Sequence, residues 1–331
     1  MSGATAVPGR TALDAAVEVR AASKWFGDTV ALSDVSFALR PGVTGLLGHN
    51  GAGKSTVLSL LSGAARPSQG EVRVLGVDPH SDLAVHRRLG VVPDGEGTWA
   101  YLTARQNVAL LAKQRGVADP RAAAGAALER VGLSHAADRR VGGFSKGMRQ
   151  RVKLAQALAH DPEVLLLDEP LNGLDPVQRR ADVELVRALG AEGRTVLVSS
   201  HVLGEVERMA DEVLVVVNGR LVAEGEPAAI RDLMTDRPRT LRLAGRGVAA
   251  LAGVLLGEGL VTAVRHDVAA GVRSDDEEAL VVETPAAMAL ATRLPALARD
   301  CAATLRRVEA VGDDLESVFA HLTAAARGVG R

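Results

Sequence analysis

The stretch Gly48-His49-Asn50-Gly51-Ala52-Gly53-Lys54-Ser55-Thr56 constrains this chain more than any other. An apolar run, Val43-Thr44-Gly45-Leu46-Leu47, leads into it, and Val57, Leu58, Leu60 and Leu61 follow at helical spacing. A strand feeding a glycine loop that opens a helix is the setting a phosphate-binding loop needs. Glycines let the backbone turn sharply and keep side chains from standing between the amides and a ligand. The amides and the positive end of the helix then converge on an anion. Lys54 would reach the β- and γ-phosphates of a nucleotide, and the Ser55 hydroxyl would ligate Mg²⁺. The alternative, an ordinary strand–helix turn with a stray lysine, fits the composition poorly. Of 39 basic residues only Lys24, Lys54, Lys113, Lys146 and Lys153 are lysines. One of these few stands where a compact ammonium serves better than a planar guanidinium fork.

At 331 residues, 47% of them hydrophobic, the chain can bury one large core and a smaller one. A net charge of −1 without a basic block disfavours a nucleic-acid partner. Cys301 is the only cysteine, which excludes an internal disulfide or a thiolate cluster and fits a reducing cytosol. No apolar run approaches the roughly 18–20 residues that span a bilayer. Residues 248–256 form the longest candidate, and it is too short. The first residues, 1–13, read as a small-residue tail without the apolar core of a signal peptide. A soluble protein is expected, with any membrane role borrowed from a partner.

Alternation marks strands at 17–21 and 35–39, with Lys24-Trp25-Phe26-Gly27 between them, and another strand at 71–75. Leu89-Gly90-Val91-Val92 is a short buried strand closed by Pro93. Residues 102 to about 158 are mostly helical in pattern; Gly142-Gly143 breaks them, and Ser145 caps a helix whose apolar stripe is Met148, Val152, Ala155 and Ala159. Val164–Leu167 and Thr195–Ser199 read as central parallel strands. Asn218-Gly219 between two apolar runs signals a hairpin. The first domain, 14–236, ends where Arg237-Pro238 interrupts the pattern, and a compact α+β domain follows over 237–331. It holds no catalytic cluster: His266 and His321 are isolated, and neither has metal-ligand spacing with another His or Cys.

The later motifs narrow the chemistry. Val164–Leu167 ends in Asp168-Glu169-Pro170, placing two carboxylates at the carboxyl end of a buried strand, the edge where open α/β sheets bind ligands. Asp168 would hold Mg²⁺, and Glu169 would polarise an attacking water as general base. Phe144-Ser145-Lys146-Gly147-Met148 offers amides, a hydroxyl and a helix dipole to an anion, or reads simply as a helix cap. Leu174-Asp175-Pro176 opens a helix after the Asn172-Gly173 turn, and His201 follows Ser200 at the same sheet edge.

Together these motifs resemble the nucleotide-binding subunit of an ABC transporter. GHNGAGKS resembles the Walker A, FSKGM the signature, VLLLDE the Walker B, LD the D-loop and SSH the H-loop, in the family's order over about two thirds of the chain. The resemblance implies an α/β P-loop NTPase domain with a helical subdomain at about 100–160. It implies that Gly48, Asn50, Gly51, Ala52, Gly53, Lys54, Ser55 and Thr56 bind ATP, with Ser55 and Asp168 on Mg²⁺. Phe26, with Trp25 as the fallback, resembles the aromatic that stacks on adenine. Glu169 resembles the catalytic base, His201 the γ-phosphate switch and Asp175 the link between two subunits' sites. Ser145, Lys146, Gly147 and Met148 would close the site of a second chain, so the active species is a homodimer or a pseudo-symmetric pair.

Three positions depart from the common pattern. Asp94 stands where the Q-loop glutamine should follow Val91-Val92-Pro93, and the signature has Lys146 and Met148 where glycine and glutamine are commoner. The Ser-Lys-Gly-Met form and the segment Asp313–Thr323 are similar to the drug-exporter-type branch. A membrane permease is the implied partner, at the cytoplasmic side of the membrane, with the groove beside Asp94 as its dock and Trp99 and Tyr101 as candidate contacts. The rival reading is a soluble ABC-type ATPase acting on DNA or ribosomes. It is disfavoured because Lys54 and Asp168 lie only 114 positions apart, with no heptad run between. A P-loop kinase or GTPase would leave Ser145–Met148 unexplained.

Overall fold

The computed structural model describes residues 15–230, 239–266 and 278–310. The N-terminal tail, the interruption near Arg237, His321 and the segment 313–323 lie outside them. The chain divides into two compact units between Pro227 and Ala228, nine residues before the break read from the sequence.

In the first unit, the apolar runs form a six-stranded sheet ordered β5-β6-β7-β3-β8-β9. Its strands are β3 (Gly42–Leu47), β5 (Leu89–Val92), β6 (Val164–Leu167), β7 (Thr195–Ser200), β8 (Glu212–Val217) and β9 (Arg220–Gly225). All pair in parallel except β9, which turns back on β8. The turn is Asn218-Gly219, both residues at positive φ (48° and 75°), as the tight hairpin requires. The four residues of β6 are wholly buried, the mark of a parallel strand covered on both faces.

A second, antiparallel sheet, β2-β1-β4, consists of β1 (Val17–Phe26), β2 (Thr29–Leu39) and β4 (Gln69–Val74). Val17, Val35 and Leu39 of this sheet join Leu46, Leu166, Leu197 and Leu214 of the first, with Val57 and Leu61 of α1 (Lys54–Leu61), in one apolar core. Each fully buried leucine or valine of this kind contributes roughly 1.5–3 kcal/mol. With short 3₁₀ turns at Ser134–Ala136 and Val141–Gly143, the predicted helical stretch holds three α-helices, α2 (Ala104–Gln114), α3 (Pro120–Arg130) and α4 (Lys146–Leu158). Each has its cap: Thr103 with Gln106 in a capping box, Asp119 ahead of Pro120, and Ser145 accepting from the Met148 amide. On α4, Val152, Ala155 and Ala159 are buried as the stripe predicts, and Met148 is half-buried. α5 (Pro176–Ala191) starts from the Asp175 cap, and α6 (Leu203–Met209) follows β7.

The second unit has a four-stranded antiparallel sheet ordered β11-β12-β10-β13. Its strands are β10 (Arg239–Arg246), β11 (Ala263–His266), β12 (Glu278–Thr284) and β13 (Thr304–Ala310). Helices Val248–Gly257 and Ala287–Asp300 connect β10 to β11 and β12 to β13. The order β-α-β-β-α-β with this strand arrangement is the ferredoxin-like, split-βαβ architecture. Leu243, Leu280 and Val282 pack on Leu251, Leu255, Leu290 and Leu294.

Candidate functional site

Strand order assembles the site. β6, β7 and β3 are neighbours and run parallel, so their carboxyl ends lie side by side. The loop after β6 carries Asp168 and Glu169, the end of β7 carries Ser199 and Ser200 ahead of His201, and the loop after β3 carries Gly48–Gly53. Segments as far apart in sequence as Gly48 and His201 thus share one edge, where such sheets bind ligands.

The glycine loop is packed at its base and open above. A Cβ on Gly48 would stand 2.6 Å from the Val216 carbonyl oxygen, and one on Gly51 would meet nothing within 4 Å. Gly51 and Gly53 take φ of 82° and 111°, conformations glycine adopts freely. Ala52 is buried, Asn50 is exposed, and Thr56 lies half-buried in the first turn of α1. Lys54 is only 6% exposed. Its ammonium donates to the Gly48 carbonyl at 2.7 Å and the His49 carbonyl at 3.3 Å, and lies 3.4 Å from Glu169 Oε1. That Glu169 oxygen is buried without a hydrogen-bond partner. The other, Oε2, meets His201 Nδ1 at 2.9 Å.

Ser55 Oγ donates to Asp168 Oδ2 at 3.2 Å, bringing together a hydroxyl and a carboxylate on opposite sides of the edge. These are hard oxygen donors of the kind Mg²⁺ takes alongside phosphate oxygens and water. Among the described residues no cluster of three His, Cys, Asp or Glu side chains could hold a metal by itself. The donor set therefore suits a cation completed by a nucleotide.

The remaining predicted residues stand elsewhere in the unit. Phe26, 55% exposed, ends β1, and the Lys24 ammonium lies 4.8 Å from its ring centroid. Trp25 is also exposed. Ser145, Lys146, Gly147 and Met148 open α4, and no hydrogen bond or ion pair among the described residues joins them to the glycine loop. Gly147 is tightly packed: a Cβ there would fall 2.0 Å from Gln178 Oε1. Asp175 caps α5, accepting from the Val177 and Gln178 amides at 3.0 and 2.9 Å. Asp94 is exposed, and its carbonyl oxygen accepts from Lys153 at 3.3 Å.

Two participants escaped the sequence reading. Ser199 contacts both Asp168 and Glu169, and Lys153 donates to the carbonyls of Pro93 (2.7 Å), Asp94 and Gly95 (3.0 Å). Burial holds the Lys153 ammonium below the usual lysine range, with Asp94 partly offsetting it. The available signal was a hydroxyl inside a buried strand and a lysine on an apolar helix face, both of which must find partners.

Residues 32–172 match the ABC transporter family. The chain is 40% identical over 221 residues to the Nod factor export ATP-binding protein I of Burkholderia orbicola, covering 65% of this chain and 72% of that protein. It is 38% identical over 232 residues to the Rhizobium meliloti protein of the same name, covering 69% of each. Among solved structures, an ATP-binding subunit of an ABC transporter superposes with a TM-score of 0.60 at 29% identity, over 65% of this chain and 92% of that one. A dimeric ATP-binding cassette bound to ADP and Pi superposes with a TM-score of 0.59 at 25% identity, over 64% and 98%. With the glycine loop, the paired carboxylates and the histidine gathered on one sheet edge, these likenesses place the chain in the ABC transporter family, as one of its ATP-binding, ATP-hydrolysing subunits.

Proposed function

We propose that this subunit hydrolyses Mg²⁺-bound ATP at two composite sites in a head-to-tail pair of chains and drives export through a separate membrane permease. The observation that carries the reading is the convergence of Lys54, Ser55, Asp168, Glu169 and His201 at the ends of β3, β6 and β7. Lys54 and the amides of Gly51–Lys54 would cradle the phosphates, and Phe26 would stack on the base. Ser55 and Asp168 would hold Mg²⁺, which when bound would supply positive charge against that developing on the phosphates. Glu169, with His201 at one oxygen and the Lys54 ammonium 3.4 Å from the other, would accept a proton from water. His201 would touch the γ-phosphate through its second nitrogen.

Ser145 is engaged with its own helix and with no group of the glycine loop, which supports its acting on the partner chain's nucleotide. Asp175, at the start of α5, would lie between the two sites. The permease would dock at the cleft of about 570 Å³ lined by Asp94, Glu96, Thr98, Lys146, Arg149 and Lys153. Tyr101, 70% exposed, and Trp99, whose backbone is held by buried Asn107, stand beside it. No helix among the described residues is long and apolar enough to cross a membrane. The subunit would sit on the cytoplasmic face of its permease. Export is the direction named for the two Nod factor relatives. The deciding experiment is ATP turnover against protein concentration: a steep rise on pairing is expected. A dilute monomer running at full rate with Ser145→Ala would overturn the reading.

A further inference from the structure

Ser199 lies near the end of β7 and is fully buried, with Val196, Leu197 and Val198 equally buried before it. A hydroxyl in such a place costs free energy unless its donor and acceptor are both used. Both are used, and on the two residues that matter most. Its Oγ donates to Asp168 Oδ1 at 2.6 Å, a length typical of a bond to an ionised carboxylate. The same Oγ accepts from the Glu169 amide at 2.8 Å.

The geometry of Asp168-Glu169 explains why that matters. Consecutive residues of an extended strand point to opposite faces, so two adjacent carboxylates would not both serve one site. Asp168 and Glu169 stand just past the end of β6, and Glu169 leaves the extended path by taking φ of 46°, a left-handed conformation that costs a non-glycine residue roughly 1–2 kcal/mol. With that twist Asp168 reaches Ser55 and Glu169 reaches Lys54, adjacent residues at the start of α1. The amide carrying the twist is the one Ser199 accepts from. The Asp168 oxygen that Ser199 engages is Oδ1, which leaves Oδ2 for the pair with Ser55.

We propose that Ser199 is a positioning residue for ATP hydrolysis: one buried hydroxyl orients the Asp168 carboxylate toward the metal and pins the backbone that aims Glu169. This rests on the reading that Asp168 holds Mg²⁺ and Glu169 acts as base. The metal and the base are then set by a single group, and removing it disturbs both while leaving the glycine loop intact.

The test compares full-length wild type, Ser199→Ala and Ser199→Thr. A fluorescent ATP analogue in EDTA reports metal-free nucleotide binding. The Mg²⁺-induced rise in melting temperature with a non-hydrolysable ATP analogue reports metal affinity, and steady-state turnover gives kcat. Ser199→Ala should bind the analogue in EDTA as wild type does. Its half-saturating Mg²⁺ should rise and its kcat should fall, each by about 10-fold, the lower end of the usual effect of losing a group that orients a metal ligand. Ser199→Thr, which keeps the hydroxyl, should recover most of both. If Ser199→Ala melts early, Ser199→Cys fills the space with a weaker donor and carries the same comparison. Unchanged Mg²⁺ half-saturation and kcat would overturn the proposal, and so would a parallel loss of binding in EDTA, which marks a collapsed site. Failure of the underlying reading shows in the wild type alone, as turnover indifferent to added Mg²⁺, and the proposal falls with it.

Discussion

Lys54 has its ammonium buried against two backbone carbonyls and a carboxylate. Truncating a buried charged partner of a ligand costs about 2–5 kcal/mol, so Lys54→Ala should weaken ATP binding by roughly 30-fold or more, measurable by equilibrium titration. Glu169→Gln is expected to behave differently. It keeps the shape of the side chain but cannot accept a proton, so kcat should fall by about 10²–10⁴ with ATP binding retained. Rapid-mix chemistry on preformed complexes would measure this. His160 concerns stability instead. Burial holds its imidazole below the ordinary histidine range, and Nε2 lies 3.1 Å from the Leu89 carbonyl oxygen. The unfolded chain therefore binds the proton more readily, so the contribution of neutral His160 is present above the unfolded pKa, about 6.5, and is lost as pH falls through the depressed folded value. Melting temperatures between pH 7.5 and 5.5 should decline less steeply for His160→Gln, which can still donate to Leu89 and does not titrate.

At the scale of elements, α4 is tied to its surroundings on more than one side. Arg151 donates to Asp182 of α5 at 3.1 Å, and Arg149 donates to the Phe144 carbonyl behind the cap. Burial raises the Asp182 carboxyl, and the Arg151 guanidinium opposes that shift. The bare α-carbon of Gly147 lets Gln178 of α5 come close. Lys153 ties the far side, its ammonium donating to three consecutive carbonyls of the Asp94 loop. Lys153→Met should release that loop, at a cost of about 1.5–3 kcal/mol for each well-made bond to a charged donor. Hydrogen exchange at 95–97 is expected to accelerate while exchange in β6 stays slow. Unchanged exchange there would mean the loop is held by other contacts.

For the whole molecule, the expected active species is a pair of chains. Glu169→Gln with ATP should elute from size exclusion at twice the monomer mass and return to monomer when ATP is removed. The second unit has its own apolar core and its own sheet. A chain ending at Pro227 should therefore keep nucleotide binding; loss of cooperative melting in that shorter chain would show that the second unit completes the core of the first.

Much of this was legible in the residues because it is local. The glycine loop, the caps at Ser145 and Asp175, the Asn218-Gly219 turn and the apolar run before Asp168 each depend on a few neighbours in the chain. Backbone conformation and hydrophobic period act over that range. Tertiary structure alone decided that β6, β7 and β3 lie side by side, that Ser199 bridges the Asp168 carboxylate and the Glu169 amide, that Lys153 reaches the Asp94 loop, and that the second unit takes split-βαβ order. Strand order and the partners of a buried hydroxyl or ammonium are settled by pairing segments tens to hundreds of residues apart. No local pattern records which of the possible neighbours a strand will take.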